Sequence, residues 1–194
     1  HTKPFITLDM LWDSFLHHVA HDGWIFAAND SGEWFFTDGE AFELAYMMYR
    51  KPEYASLIKY SGDRNLLYGV PELPEDTPEI GRRSVYSDGI GFITLRSQTP
   101  GRHPVDQIAT TLKYGTHGAY HGHFDRTNFN SLKRHGRSFY MSGHGLWYSY
   151  ASFMYGFFVQ SSINHNMVVV DSKNQEPVES RRLLFHSSQK MQAA

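Results

Sequence analysis

Residues 69–83 read GVPELPEDTPEIGRR and separate two parts of the sequence that differ in hydrophobic pattern. The stretch has prolines at positions 71, 74 and 78 and several acidic side chains. Proline fixes φ and has no backbone N–H to donate, so a regular helix or a central strand is excluded there. We therefore predict a linker over 69–83, between one domain at 1–68 and another at 84–194.

The part before this linker has helical periodicity. Apolar residues from Leu8 to Val19 recur at helical spacing and predict an amphipathic helix over 8–20. A second helix is predicted over 38–50, where Lys51 and Pro52 end it, and a third over 53–60. The first domain is therefore expected to be helical.

The part after the linker has the alternation and the β-branched residues of strands. Helices followed by many short strands predict an α+β fold or two separate domains. The predicted strand regions are 84–97, 106–114, 127–132, 138–141, 167–171 (MVVVD) and 181–186, with a turn at His135 and Gly136 between the third and the fourth.

Charge and composition exclude several classes of protein. The 194 residues carry 18 basic and 20 acidic side chains, a net charge of −2, so the chain offers no basic field for nucleic acid. No apolar run approaches the ~18 residues of a membrane helix, and we predict no membrane insertion. The absence of cysteine excludes disulfides and thiolate metal sites. The start, HTKPFITLDM, indicates either a removed signal or a chain that begins inside a longer protein.

Histidines concentrate in residues 113–125, KYGTHGAYHGHFD. On a strand His121 and His123 would share one face, whereas in a turn they would diverge and serve different purposes. A His-x-His pair with a distant third histidine is a common zinc pattern, and His165 in Asn164-His165-Asn166 is the candidate for the third. The alternative is a set of hydrogen-bonded histidines on a polar sheet face.

Three sequence blocks resemble the heparinase II/III-like superfamily of polysaccharide lyases. They are YGTHGAYHGHFDRTNF, INHNMVVVD and DGWIFAANDSGEWFFTDGEAFELAYMMYRKPEYA, and the HGHFD core is most similar to the oligoalginate lyases. The resemblance covers about Asp22 to Asp171. It implies the last helices of an α/α toroid over 1–68 and the front of an antiparallel β-sandwich from Ser84, with the rest of the toroid in an N-terminal part of a parent protein.

The resemblance also implies a reaction and a metal. Such lyases neutralise a uronate carboxylate, remove the C5 proton and protonate the leaving O4. By position, His121 matches an active-site histidine, and His123 and His165 match ligands of a structural divalent metal, with zinc as the first candidate.

The sequence departs from the family at the third metal ligand. The family has an acidic residue about eighteen positions after the second histidine, where this chain reads Met141-Ser142-Gly143. We predict His144 as the replacement, with loss of the metal as the alternative. The catalytic base of the family comes from earlier toroid helices, so we expect it outside this chain.

Two tyrosines and two basic residues complete the predicted site. Tyr150 is assigned to catalysis and Tyr148 to substrate binding, because relatives carry a tyrosine that contacts substrate in this region. Arg126, beside HGHFD, is assigned to a substrate carboxylate, which suits guanidinium geometry. Lys113 is a second candidate for that contact.

The sequence thus predicts a polysaccharide lyase acting on anionic uronate polymers or oligomers. Alginate is the first substrate, and a glycosaminoglycan or ulvan is next. The alternatives are a uronate C5 epimerase and a non-catalytic carbohydrate-binding or structural module. We expect a periplasmic or secreted bacterial protein, and the sequence leaves homo-oligomerisation open.

Overall fold

A computed structural model describes residues 7–19, 24–25, 29–30, 34–35, 39–62, 64–65, 67, 72–141 and 150–194. The chain divides into two compact units. The first contains residues 1–25 and 35–81, and the second contains residues 26–34 and 82–194. The division after Gly81 lies close to the predicted domain boundary, but residues 26–34 belong with the second unit, which the sequence pattern did not predict.

The described part of the first unit contains three α-helices, as the periodicity predicts. They are α1 (Leu8–His18), α2 (Gly39–Tyr49) and α3 (Pro52–Ser61). Proline suits the first turn of α3 because no helical partner exists there for its missing N–H. Gly62 ends α3 in the left-handed region at φ 74°, and its N–H donates to the Ile58 carbonyl.

Aromatic and aliphatic side chains from all three helices fill the core of the first unit. Phe42 is almost fully buried, and its ring meets those of Trp12, Phe15 and Tyr54 edge to face. The buried core residues are Val19, Phe42, Ala45, Tyr46, Tyr54, Ala55, Leu57 and Ile58. The helical spacing indicated buried positions such as Phe42 and Ala45. Other positions of the same pattern are exposed, since Leu11 is 54% exposed and Met48 is 53% exposed.

Residues 72–81 lack regular structure, as predicted, yet they pack against the helices. Leu73 and Ile80 contact the core of the first unit. The Ser56 hydroxyl donates to the Pro78 carbonyl at 2.6 Å, and Lys59 Nζ donates to the Glu75 carbonyl at 2.7 Å. This part of the predicted linker therefore belongs to the first unit.

A five-stranded antiparallel sheet forms the centre of the second unit, with strands in sequential order. The turn His135-Gly136 joins the last two strands, and both residues have positive φ, as tight hairpins require. The sheet comprises β3 (Val85–Ser87), β4 (Phe92–Arg96), β5 (Ala109–Lys113), β6 (Asn128–Arg134) and β7 (Arg137–Met141). Two-stranded sheets pair β1 (Trp24–Ile25) with β2 (Trp34–Phe35) and β8 (His186–Ser187) with β9 (Gln192–Ala193).

The predicted strand over 167–171 is wrong. This segment is irregular, and Val168 is 84% exposed. A run of β-branched residues favours extended backbone, but a strand also needs a partner with which to form a hydrogen-bonded ladder. No strand among the described residues pairs with this segment. For the same reason, only His186 of the region 181–186 lies in a strand.

No helix within the described ranges has the length and apolar character needed to cross a lipid bilayer.

Candidate functional site

The loop between β5 and β6 carries the histidine motif and separates its two rings. A single 3₁₀ turn, Ala119–His121, is followed by Gly122, whose N–H donates to the Ala119 carbonyl at 2.9 Å. The His121 side chain is 60% exposed and that of His123 is buried. The motif therefore forms a turn, as the second of the two alternatives predicts. His121 faces solvent and His123 faces the interior.

Gly122 is required at the centre of this turn. A Cβ atom at this position would lie 1.7 Å from the His117 carbonyl oxygen and 2.6 Å from its carbon. The contact is with backbone, which cannot move away as a flexible side chain can.

We expect Gly122→Ala to lower the free energy of unfolding by about 2–3 kcal/mol, because the clash forces the motif loop to shift. Urea unfolding would measure this loss. Gly89→Ala is the matched control, since a Cβ there meets nothing within 4 Å. Equal stability of the two variants would contradict the required close approach.

His123, Asp125 and His165 form a buried cluster suited to a divalent metal. One ligand atom from each residue lies within 4.8 Å of the others. His123 Nδ1 and His165 Nε2 face each other at 3.2 Å. The structure thus brings together the two predicted histidine ligands, which lie 42 positions apart in the sequence.

Short hydrogen bonds hold the His165 segment against the motif loop. The Ser162 hydroxyl donates to the Phe124 carbonyl at 2.6 Å, and the Phe124 N–H donates to the Gln160 carbonyl at 2.8 Å. The Phe129 N–H donates to the Asn166 carbonyl at 3.0 Å, at the start of β6. Both sides of His165 are therefore fixed to the chain around His123.

Asp125 is the third member of the cluster among the described residues, and the prediction of His144 as a ligand is not tested there. His144 lies outside the described residues, as does Tyr148. The sequence held a usable signal, because Asp125 follows His123 at a spacing of two, but the family pattern directed attention to a later acidic position. Two nitrogens and one carboxylate oxygen are a donor set that zinc accepts.

Lys113 at the end of β5 also contacts Asp125. Its side chain is 4% exposed, and Nζ lies 2.7 and 2.9 Å from the two carboxylate oxygens. Burial lowers the pKa of Lys113, and the Asp125 charge opposes that shift. Lys113 also donates to the Asn29 side chain. It is thus a buried ion-pair partner, in a position that does not fit contact with a substrate carboxylate.

Arg126 is buried too, at 2% exposure. Its Nη2 donates to the Glu176 carbonyl at 2.7 Å, and the Gln175 side chain donates to the Arg126 carbonyl. These contacts fix the segment around 175–176. The position does not fit the predicted contact with a polysaccharide carboxylate, because solvent has almost no access to the guanidinium.

Asp30, which the sequence patterns did not single out, lies at the centre of the site. Its Oδ2 is 2.7 Å from His121 Nδ1, and its Oδ1 is 3.0 Å from His123 Nε2. Tyr155 donates to both oxygens, at 3.1 and 2.8 Å. Asp30 lies about ninety positions before the histidines, and no spacing rule connects it to them.

Tyr150 lies beside His121, as a catalytic pairing would require. Its hydroxyl is 3.0 Å from His121 Nδ1 and 3.2 Å from Asp30 Oδ2. The side chains of Tyr150 and His121 are both open to solvent. Tyr155 lies behind them in a π-helix, Tyr155–Val159, a helix type that often marks functional sites.

Burial and hydrogen bonding shift the pKa values of two histidines and one aspartate in the site. Burial lowers the pKa of His165 to about 4 and lowers that of His123 as well. Burial acts to raise the pKa of Asp30, but hydrogen bonds from His123, His121 and Tyr155 outweigh it and keep that pKa below its ordinary value. His123 and His165 are therefore neutral at pH 7, the state in which imidazole can bind a metal.

These shifts predict a loss of stability in mild acid. The folded pKa of His165 lies below its unfolded value of 6.5, so its contribution is complete above pH 6.5 and declines as the pH falls toward 4. Summed over that range the loss from His165 is up to about 3 kcal/mol. Urea unfolding in metal-free buffer at a series of pH values would measure it. If the free energy of unfolding of His165→Asn fell with pH as steeply as that of the unmodified protein, the assignment to His165 would be contradicted.

Comparison with known proteins gives the fold. No protein-family model matches the sequence, and no curated protein matches it significantly. Solved structures, by contrast, align over nearly the whole chain. A heparinase III gene product superposes with a TM-score of 0.71 at 16% identity, covering 95% of this chain and 27% of its own. The chain has a heparinase III-like fold.

Two further structures agree with this assignment. Heparan sulfate lyase HepC from Pedobacter heparinus gives a TM-score of 0.72 at 14% identity, covering 93% of this chain and 26% of its own. A structure of heparinase III gives a TM-score of 0.64 at 14% identity, covering 92% of this chain and 28% of its own. The predicted α+β class, helices followed by an antiparallel sheet, is confirmed. This example of the heparinase III-like fold spans about a quarter of the length of those proteins.

Proposed function

We propose that this protein is part of a polysaccharide lyase that cleaves uronic-acid-containing chains by β-elimination. The observation that carries the proposal is the His121–Tyr150 pair, joined at 3.0 Å and open to solvent, on a heparinase III-like fold. Two proton-transfer groups at the surface of a fold shared with lyases suit the removal and delivery of protons. The remaining toroid of the parent protein supplies the other groups.

The reaction needs three acts from the protein. A uronate carboxylate must be neutralised so that the C5 proton becomes acidic, a base must remove that proton, and an acid must protonate the leaving O4. His121 has Nδ1 held by Asp30 and therefore meets the substrate through Nε2. Tyr150, beside it, provides a hydroxyl that can exchange a proton with the sugar.

His123, Asp125 and His165 hold a structural divalent metal in this proposal. Zinc is the first candidate because neutral imidazoles and a carboxylate match its ligand preferences. When bound, the metal would fix the motif loop that presents His121. The facing nitrogens of His123 and His165 support this assignment, because two buried ring nitrogens 3.2 Å apart suit a shared cation.

Zinc is expected to stabilise the second unit. At a concentration a hundred times its dissociation constant, a ligand that binds only the folded state adds about 2.7 kcal/mol. Thermal unfolding of the chelator-treated protein, with and without zinc, would show the rise. We expect His165→Ala to remove this rise and the exposed-histidine control His135→Ala to retain it. A rise of equal size in His165→Ala would contradict the ligand set.

The substrate class is the next part of the proposal. The HGHFD core resembles oligoalginate lyases, whereas a structural neighbour is named as a heparan sulfate lyase. We retain alginate as the first substrate and a glycosaminoglycan or ulvan as the next. A polymer of this kind also suits a protein in the periplasm or outside the cell.

The deciding experiment is an ultraviolet assay for the unsaturated uronate that β-elimination forms. The parent protein and this chain would be compared on alginate, heparan sulfate, chondroitin sulfate and ulvan. An increase in absorbance with one polymer supports the proposed lyase activity and identifies its substrate. No increase in absorbance with any of the polymers contradicts the proposed lyase activity. Deuterium uptake at C5 without absorbance would then indicate the epimerase, and binding without either would indicate the non-catalytic module.

A further inference from the structure

One carboxylate contacts both histidines of the HGH motif. Asp30 lies in the short segment 29–30 of the second unit, and its side chain is largely buried. Oxygen Oδ2 meets His121 Nδ1 at 2.7 Å, and oxygen Oδ1 meets His123 Nε2 at 3.0 Å. Asp30 therefore connects the exposed proton-transfer pair to the buried metal cluster.

The chemistry of these contacts fixes where the imidazole protons lie. An ionised carboxylate only accepts hydrogen bonds, and a neutral imidazole carries a single N–H. The nitrogen that faces Asp30 must then be the one that carries the proton. The Tyr150 hydroxyl, 3.0 Å from the same His121 nitrogen, donates its own proton to Asp30 Oδ2 at 3.2 Å. The N–H of His121 therefore lies on Nδ1 and that of His123 on Nε2.

The other nitrogen of each ring consequently carries a lone pair. For His121 it is Nε2, on the far side of the Nδ1 contact, in a side chain open to solvent. For His123 it is Nδ1, which faces His165 Nε2 at 3.2 Å. One lone pair can accept a proton from a substrate, and the other can bind a metal.

The surroundings of Asp30 keep the carboxylate in this orientation. Tyr155, itself buried, donates its hydroxyl to both oxygens of Asp30. Asn29, at a positive φ of 51°, accepts from Lys113 and thereby joins the segment to the end of β5. The carboxylate is thus anchored from behind by residues outside the HGH motif.

We propose that Asp30 is a positioning residue that sets the tautomers of His121 and His123 together and so couples the metal cluster to the proton-transfer pair. The metal half of this inference rests on the proposed function, and the tautomer half rests on the geometry alone. Carboxylates that orient a metal-bound histidine are known to raise metal affinity by 10–100-fold. Here a second histidine shares the same carboxylate.

The first test reads the tautomers in the unmodified protein. Long-range ¹H–¹⁵N correlation spectra of the chelator-treated protein at about pH 8, above the ordinary pKa of histidine, would show which nitrogen of each ring is protonated. We expect Nδ1–H for His121 and Nε2–H for His123. The opposite tautomer on either ring would overturn the proposal, and this reading requires no variant to fold.

The second test is Asp30→Asn, which keeps the size of the side chain. Its amide has one accepting oxygen and one donating NH₂, so it cannot accept from both rings. We expect at least one histidine to change tautomer and the dissociation constant for zinc, measured by calorimetry, to rise about tenfold or more. Asp106→Asn is the matched control, because Asp106 holds the exposed His135 at 2.7 Å.

The outcomes separate this inference from the proposed function. Unchanged tautomers in Asp30→Asn overturn the role of Asp30. A changed tautomer with zinc affinity within twofold of the unmodified protein overturns the coupling. An unmodified protein that binds no zinc overturns the metal assignment and the link to it, while the spectra still decide the tautomers. Absence of lyase activity affects none of these readings.

Discussion

Replacing His121 by alanine is expected to reduce the rate of β-elimination by about 10²–10⁴-fold, the usual contribution of a positioned acid–base group. The ring contacts Asp30 Oδ2 at 2.7 Å and the Tyr150 hydroxyl at 3.0 Å, so its loss removes the centre of the proton-transfer pair. Initial rates in the ultraviolet assay, on the polymer that the active parent protein cleaves, would measure the effect.

The same substitution is expected to leave folding nearly intact. The His121 side chain is mostly exposed, and exposed substitutions usually change the free energy of unfolding by less than about 1 kcal/mol. The control is His135→Ala, an exposed histidine that also pairs with an aspartate and lies in the β6–β7 turn. His121→Ala with full activity, or with a large loss of stability, would show that His121 is a structural residue.

Replacing Lys113 by methionine is expected to lower the free energy of unfolding by about 3–5 kcal/mol in metal-free buffer. The change leaves the buried Asp125 carboxylate without its cation, and breaking one side of a buried ion pair has a cost of this size. Urea unfolding of the chelator-treated protein would measure the loss. Zinc bound beside Asp125 would replace part of the missing positive charge, so we expect zinc to stabilise Lys113→Met more than it stabilises the unmodified protein.

Two comparisons make this prediction specific. Arg182→Met removes a cation from the Asp88 pair, which lies at the surface, and should cost less than about 1 kcal/mol. The double variant Lys113→Met/Asp125→Asn removes both charges and should be more stable than Lys113→Met alone. A loss in Lys113→Met no larger than in Arg182→Met would contradict the burial of an essential ion pair.

The helices could be predicted from sequence because their signals are local. The apolar spacing of α1 and the Pro52 and Gly62 positions at the ends of α3 act within a few residues of one another. The β6–β7 hairpin was predicted for the same reason, since its turn is set by two adjacent residues. The strand expected over 167–171 failed because a strand is defined by its partner, and its own residues show only a preference for extended backbone.

Only part of the site could be predicted from the sequence. The HGHFD motif and the Asn-flanked His165 indicated a metal pair, and the structure places those two rings 3.2 Å apart. Lys113 and Arg126 were assigned to substrate because a sequence gives charge without burial. Both are buried, and each interacts with protein groups.

The sequence by itself determined the three helices, the four strands from Phe92 to Met141 including the last hairpin, and the residue types available for acid–base chemistry. These follow from φ preferences and from side-chain spacing within short segments. Only the tertiary structure decided that Asp30 contacts both motif histidines, that Asp125 joins His123 and His165, and that Lys113 neutralises Asp125. Contacts across ninety residues depend on how whole elements pack, because the directions of hydrogen bonds and the burial of charges are set by neighbours distant in the chain.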